Sequence, residues 1–250
     1  MENKVALVTG AGRGIGRTIA KTLAQNGYDI IINYNRSKDG ALSLEKEINS
    51  EFPNVKTLVL RCDISNELDV RQMVTDTLKV FKRVDVLVNN AAVCFDNLFQ
   101  EKTVEEFKTT FEVNVIGTFL VSKYFGEMMF NNKYGKIINL TSTNGINTYY
   151  PMCIDYDASK SAIISLTHNL AMQFAPYVNV NAIAPGFISS ANEIDNMDEE
   201  FIATETEKIL VKRIGTEQDV ANLVEFLASD KSSFINNEVI RIDGGVYGNF

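Results

Sequence analysis

A phenol, an ammonium and a hydroxyl are spaced in this chain so that together they could handle a proton on a carbonyl oxygen. Tyr156 and Lys160 lie in the segment Tyr156-Asp157-Ala158-Ser159-Lys160. It reads as the opening of a helix, which puts both side chains on one face, a turn apart. Tyr34 and Lys38 share the spacing, so spacing alone proves nothing, and Tyr34 ends a strand-like run with no evident hydroxyl partner. The later pair has one. Ser142 precedes Tyr156 by 14 residues and follows the apolar run Lys136–Thr141. Ser142 could hold a carbonyl oxygen, Tyr156 could give or take the proton, and Lys160 could favour phenolate. A free phenol titrates near 10, so work as a base at neutral pH needs a shift of about 3 units, or about 4 kcal/mol. Burial acts the other way, which leaves nearby positive charge as the means. The plainer alternative is a buried tyrosine, a lysine reaching toward solvent and a turn serine.

What would sit beside this set is suggested by Thr9-Gly10-Ala11-Gly12-Arg13-Gly14-Ile15-Gly16. A strand (Val5–Thr9) enters it and a helix leaves it. Glycines allow a tight turn and close approach of main-chain N–H groups to a pyrophosphate, while the helix N-terminus adds free donors and partial positive charge. The spacing is Gly10-x-x-x-Gly14-x-Gly16, and no Lys-Ser/Thr closes the loop, which disfavours a nucleoside triphosphatase. The second strand ends Asn33-Tyr34-Asn35-Arg36-Ser37, with no carboxylate to accept from ribose hydroxyls. Arg13 and Arg36 could instead converge on a 2′-phosphate. Asp39 is a rival ribose ligand but lies past the strand. The expected cofactor is NADP(H), whose oxidised nicotinamide is a second source of positive charge for the phenol.

Apolar runs that must position these groups alternate with helix-period segments. Strands are expected at Val5–Thr9, Asp29–Tyr34, Val55–Arg61, Val84–Asn89, Lys136–Thr141, Val178–Ala184 and Glu238–Ile242. Helices are expected at Gly16–Asn26, Ala41–Glu51, Glu67–Phe81, Val104–Phe130, Tyr156–Phe174 and Glu217–Ala228. Strands joined through helices are parallel with right-handed crossovers. Runs such as Ile30-Ile31-Ile32 lack polar alternation, as strands covered on both faces do. The expected fold is α/β, a Rossmann-type doubly wound parallel sheet of about seven strands with helices on both faces, as one domain over residues 1–250. Phe187–Leu210, with its acidic run Glu193–Glu200, departs from the rhythm. It reads either as a solvated excursion or as a flap over a pocket at a strand's C-terminal end.

Composition narrows the partners. Net charge is −8 without a basic stretch, so neither nucleic acid nor an anionic membrane is expected. No apolar run reaches the roughly 18 residues of a span, and the start of the chain leaves no room for a secretory signal. Cys62, Cys94 and Cys153 are scattered, odd in number and without metal-ligand spacing. They read as thiols of a reducing, cytoplasmic compartment with no metal or disulfide. His168 is the single histidine and reads as structural.

Taken in order along nearly the whole chain, the motifs Thr9–Gly16, Asp63, Asn89-Asn90-Ala91-Ala92, Asn114, Ser142, Tyr156/Lys160, Pro185-Gly186 and Asp243-Gly244-Gly245 resemble the short-chain dehydrogenase/reductase family. The resemblance implies that Asp63 and Ile64 contact adenine, while Asn90 and Ala91 lie along the cofactor with Gly10, Arg13, Gly14, Ile15, Gly16 and Arg36. It implies that Tyr156 is the acid/base, Ser142 positions the substrate oxygen, Lys160 binds the nicotinamide ribose and Asn114 holds the water linking Lys160 to solvent. Ile188 and Ser189, after Pro185 and Gly186, match positions that touch the carboxamide. Ala91-Ala92 replaces the usual Ala-Gly, and the Ser–Tyr interval is one residue longer than the commonest, bearing on the loop Thr143–Asp155.

Within the family the pattern is most similar to the 3-oxoacyl-acyl carrier protein reductases, implying reduction of a 3-oxoacyl thioester, possible docking of acyl carrier protein, and a homotetramer built on Val104–Phe130, Tyr156–Phe174 and Val246–Phe250. Against carrier docking, Met172, Gln173 and Tyr177 end the active-site helix, where those enzymes use basic residues, and Lys133 is the one base nearby. The alternative substrate is a free sugar, polyol or small ketone. A non-catalytic cofactor-binding protein is a third reading, disfavoured because Asn114, Ser142, Tyr156 and Lys160 occur together.

Overall fold

The computed structural model describes residues 2–147, 150–189 and 198–246. Seven parallel strands form one sheet: β1 (Val5–Val8), β2 (Asp29–Tyr34), β3 (Thr57–Arg61), β4 (Val86–Asn89), β5 (Gly135–Leu140), β6 (Val178–Pro185) and a last one, Val239–Ile242. A separate two-stranded parallel pair, β7 (Ile188–Ser189) and β8 (Gly215–Thr216), precedes that last strand, which is therefore β9. The order is β3-β2-β1-β4-β5-β6-β9. Chain direction across the sheet reverses between β1 and β4, where open α/β sheets hold ligands.

The unbroken apolar runs serve two cores. Alternate residues point to opposite faces of a strand: Ala6, Val8, Ile30, Ile32, Val86 and Val88 join one cluster, whereas Val5, Leu7, Ile31 and Leu87 join the other. The first is covered by α1 (Gly14–Gln25), α2 (Lys38–Glu51) and, late in the chain, the helix Glu217–Ala228. The second is covered by α3 (Glu67–Val80), α5 (Thr118–Asn131) and α6 (Ile154–Phe174). Among the described residues no helix is long and apolar enough to cross a membrane.

Two helices differ from expectation in ways that matter for the site. The stretch read as one helix over Val104–Phe130 is α4 (Val104–Phe111), a π-helical turn over Glu112–Gly117, and then α5. A π turn inserts a residue and re-aims the side chains that follow, and Asn114 lies within it, buried. Helix α6 begins at Ile154, so Tyr156 is its third residue. Within the expected flap, α7 (Glu199–Lys208) forms with no buried residue, β7 pairs with β8, and Phe187 meets Phe201 edge-on at 5.8 Å. Residues 190–197 of that stretch lie outside the described residues, as do 148–149 of the loop before Tyr156. The remaining helix, α8 (Glu217–Ala228), starts with a capping box from Thr216 to Asp219.

Acidic residues at the start of α6 moor it on two sides. Asp155 is fully buried between Lys102 Nζ at 2.9 Å and Thr110 Oγ1 at 2.6 Å. Asp157 accepts from Asn144 Nδ2 at 2.7 Å and from the Tyr150 N–H at 3.0 Å. The first tie costs desolvation and holds only while both charges are present. Lys102→Met is therefore expected to lower stability by about 3–5 kcal/mol, read from the urea midpoint, and Lys102→Met/Asp155→Leu to recover most of the loss. An unchanged midpoint in the single variant would show that this pair does not hold the helix.

Candidate active site

The turn after β1 is shaped by contacts that leave no room for side chains. Gly10 and Gly14 have φ of 65° and 59°, the left-handed region that favours glycine. A Cβ on Gly16 would lie 2.4 Å from Asn90 Nδ2 and 2.7 Å from the Gly10 carbonyl oxygen. The turn is held by two side chains the sequence reading did not single out. The Thr9 hydroxyl accepts from the N–H groups of Asn90 and Ala91 at 2.9 and 3.1 Å, and Asn33 Oδ1 accepts from the Gly10 N–H at 3.2 Å. Helix α1 then starts with Arg13 as its N-cap, without a capping side chain and without an acidic residue in its first turn. Its N–H donors are thus left for an anion.

A cavity of about 930 Å³ opens there. Of the expected cofactor residues, Gly10, Arg13, Gly14, Ile15, Gly16, Arg36, Asp63, Ile64, Asn90, Ala91 and Ile188 line it. Pro185, Gly186, Ser189, Tyr156 and Lys160 do not: Pro185 ends β6, the Gly186 N–H donates to Ile242, Ser189 is buried in β7, and Tyr156 and Lys160 lie on α6. Volume, free helix donors and two arginines fit a dinucleotide. Arg13 and Arg36 are exposed on the cavity wall. Asp39 is instead in the first turn of α2 and off that wall. Although burial alone would raise Asp63, hydrogen bonds from Ser65 and Asn35 and the charge of Arg36 hold it below the usual carboxylate range. Three carboxylates on the wall oppose an anion, Asp63, Glu112 and Glu217, of which Glu217 accepts through Oε2 from Thr18 Oγ1 at 2.7 Å.

The cavity wall continues through Val93 to the chemical group. Asn114 Oδ1 accepts from the Val93 N–H at 2.8 Å, and Asn114 Nδ2 donates to the Val93 carbonyl and to Ser159 Oγ, each at 3.0 Å. Its side chain is thus committed to joining the loop after β4 to α6, beside Lys160. Thr141 Oγ1 donates to the Lys160 carbonyl at 2.8 Å. Gly145, also unremarked in sequence, lets the Ser142 loop lie on α6: a Cβ there would be 2.7 Å from the Lys160 carbonyl carbon.

Tyr156, Lys160 and Ser142 come together. Lys160 Nζ sits 5.3 Å from the centroid of the Tyr156 ring and donates to the Leu140 carbonyl at 2.8 Å. Burial pushes the Tyr156 phenol above its ordinary value, Cys94 and Cys153 add to that, and the Ser142 hydroxyl pulls partway back. Burial also brings the Lys160 ammonium down to about 8. In the cofactor-free protein desolvation is thus the largest influence on both groups.

That balance has a consequence for stability. Between about 8 and about 10 the unfolded chain keeps the Lys160 proton that the folded protein has lost. This group therefore makes the cofactor-free protein more stable as pH rises through that window. Below it the buried ammonium costs about 3 kcal/mol, partly offset by its bond to Leu140. At pH 7, Lys160→Met is expected to raise the stability of the cofactor-free protein by about 1–2 kcal/mol and to flatten this segment of the pH–stability curve. A variant less stable than the parent would overturn the desolvation argument.

A family profile described as Enoyl-(Acyl carrier protein) reductase matches residues 10–247. The 3-oxoacyl-[acyl-carrier-protein] reductase FabG of Staphylococcus epidermidis is 38% identical over 249 residues, covering 98% of this chain and 99% of that one. Among solved structures, Levodione Reductase superposes with a TM-score of 0.88 at 31% identity, covering 97% of this chain and 96% of that one. A gluconate 5-dehydrogenase from Burkholderia cenocepacia, in complex with NADP and tartrate, gives 0.89 at 28% identity, covering 98% and 95%. With the glycine turn, the sheet order and the Ser142–Tyr156–Lys160 group in one chain, the protein belongs to the short-chain dehydrogenase/reductase family and is an oxidoreductase acting on CH–OH groups.

Proposed function

We propose that this protein reduces the keto group of a 3-oxoacyl thioester with NADPH. The observation that carries the reading is the placement of Ser142 and Lys160 around Tyr156, joined through Asn114 and Val93 to a cavity walled by the glycine turn. When bound, the nicotinamide supplies the hydride to the carbonyl carbon. Tyr156 gives its proton to the carbonyl oxygen as negative charge develops there, a task suited to a phenol kept protonated. The Ser142 hydroxyl holds the same oxygen, and the Lys160 ammonium binds the nicotinamide ribose and opposes the developing charge. Asn114 acts through others, fixing Val93 and Ser159, and Ile188, on the cavity wall, faces the carboxamide.

The thioester substrate is favoured by the likeness to the Staphylococcus epidermidis enzyme over nearly the full length of both chains. Met172, exposed at the end of α6, and Tyr177, stacked edge-on with Phe130 at 5.3 Å, give that end an apolar face. Lys133 adds its charge over the Tyr177 ring. A free sugar, polyol or small ketone is the second reading, favoured by the absence of a basic stretch from a chain of net charge −8, which would repel an acidic carrier. Exposed Val104 and Phe107 on α4, Ile116 in the π turn and Phe119 on α5 support self-association through that face.

Oxidation of NADPH followed by absorbance, across acyl-carrier and acyl-coenzyme A thioesters and free carbonyl compounds, tests this directly. The expected result is highest kcat/KM on a 3-oxoacyl thioester, with Tyr156→Phe lowering kcat by about 10²–10⁴-fold and Ser142→Ala by less. Full turnover in Tyr156→Phe would end the catalytic assignment, and preference for free ketones or polyols would move the substrate to the second reading. Parallel titrations of NADPH and NADH check the cofactor. NADPH is expected to bind more tightly, and Arg36→Ala to cost about 1.5–3 kcal/mol for NADPH with little effect on NADH. Tighter NADH binding by the parent would overturn the roles given to Arg13 and Arg36.

A further inference from the structure

Two thiols 59 residues apart in sequence meet next to the Tyr156 phenol. Cys94 follows the loop after β4, and Cys153 is the N-cap of α6, three residues before Tyr156. Their Sγ atoms lie 3.0 Å apart. Both also approach a single carboxylate oxygen, Asp96 Oδ1, at 2.8 Å from Cys153 Sγ and 3.4 Å from Cys94 Sγ. Cys153 is buried and Cys94 exposed, so the cluster has a closed back and an open front. Asp96 forms no salt bridge among the described residues; of the ammonium groups that feel these thiols, Lys102 is taken by Asp155 at 2.9 Å and by the Phe95 carbonyl, and Lys160 by the Leu140 carbonyl. The sequence reading gave these cysteines no ligand role because their spacing follows no local pattern. The fold supplies the convergence instead.

We propose that Cys94, Cys153 and Asp96 form a binding site for a thiophilic divalent cation of the Zn²⁺ type. Two thiolate sulfurs and one carboxylate oxygen would be the protein ligands, and the exposed side would be left to water. Sulfur donors select zinc-like ions over magnesium or calcium, which prefer oxygen-only sites. Tetrahedral binding with metal–sulfur bonds of about 2.3 Å sets the sulfurs about 3.7 Å apart. They must therefore spread by about 0.7 Å, and Cys94 has open space in which to move. On binding, each thiol gives its proton to solvent and its sulfur lone pair to the metal, with no change of oxidation state. Two protons leave as two positive charges arrive, so the cluster carries one negative charge before and after.

The carboxylate decides between a metal site and a redox pair. A disulfide between Cys94 and Cys153 would have no use for Asp96. A cation draws on all three groups, because the two sulfurs and Asp96 Oδ1 already converge on one point. The site would also fasten the β4 loop to the first turn of α6, where the Asn97 N–H already donates to Met152 at 3.1 Å.

The test uses the reduced full-length protein and Co²⁺ as probe. Expected are one equivalent bound, a thiolate-to-cobalt charge-transfer band with tetrahedral visible bands, displacement by Zn²⁺, and release of two protons per metal. Cys94→Ser and Cys153→Ser should each remove about half or more of the charge-transfer intensity, and Asp96→Asn should weaken binding by about 10-fold or more. Circular dichroism confirms that each variant folds; Cys94, being exposed, gives the variant least open to a folding defect. Absence of the charge-transfer band in the reduced parent, or its survival in both cysteine variants, would overturn the site. So would a reduced protein that takes no cobalt but forms a Cys94–Cys153 disulfide in air, which would assign the pair to redox chemistry.

Discussion

The hydroxyl of Thr9 holds together the two turns on which this site is built. It sits at the end of β1 and accepts from two successive N–H groups at the end of β4, while Asn90 Nδ2 returns a bond to the Thr9 carbonyl at 2.9 Å. These strands are neighbours in the sheet whose outgoing chains part company, one toward β2 and the other toward β5. Any such divergence opens a crevice with unpaired main-chain groups on its floor. Thr9 and Asn90 satisfy those groups laterally, so the remaining donors, at the start of α1, face the cavity. The close fit of Gly16 under Asn90 follows from the same contact: a clasp this short leaves no volume for a side chain.

Farther along the crevice, burial rather than charge pairing sets the chemistry. The ammonium of Lys160 sits 5.3 Å from the centroid of the Tyr156 ring and bonds to the Leu140 carbonyl, and burial raises the phenol and lowers the ammonium. A positive charge beside the phenol would lower it and allow the reverse reaction. The penalty carried by Lys160 is of the kind that functional sites retain at the expense of stability.

Much of this could be read from residue order. Strands buried on both faces announce themselves as runs such as Ile30-Ile31-Ile32, and each of the seven expected runs forms a strand of the main sheet. Glycines before a helix and a tyrosine one turn ahead of a lysine are local patterns too, and local patterns survive in sequence. What escaped is non-local. The bond between Thr9 and Asn90 spans 81 residues, that between Asn33 and Gly10 spans 23, and Gly145 matters because of a helix not yet begun. The π turn at Asn114 is invisible to a periodicity argument, since an amphipathic pattern interrupted by one extra residue still looks helical over Val104–Phe130. The bond from Lys160 to the Leu140 carbonyl escaped for a related reason: helical spacing places side chains on one face but does not say where a flexible ammonium will find its hydrogen bond.

One short strip of chain connects all of these effects. Asn89 donates to Ser122 Oγ at 2.9 Å and to Asn139 Oδ1 at 2.8 Å beneath the sheet's edge. Asn90 and Ala91 take the Thr9 clasp, Val93 takes two of the three side-chain hydrogen bonds of Asn114, and Asn97 reaches Met152 and Glu106. Within nine residues the chain passes from the sheet interior, along the cavity wall, to the first turn of the helix that carries Tyr156. Each bond is worth only about 1 kcal/mol net. Because they act in series on one extended segment, however, displacement at one end is passed to the other rather than absorbed. The proton donor and the anion-binding turn therefore keep their separation through this strip, and a ligand that tightens either end of it acts on both.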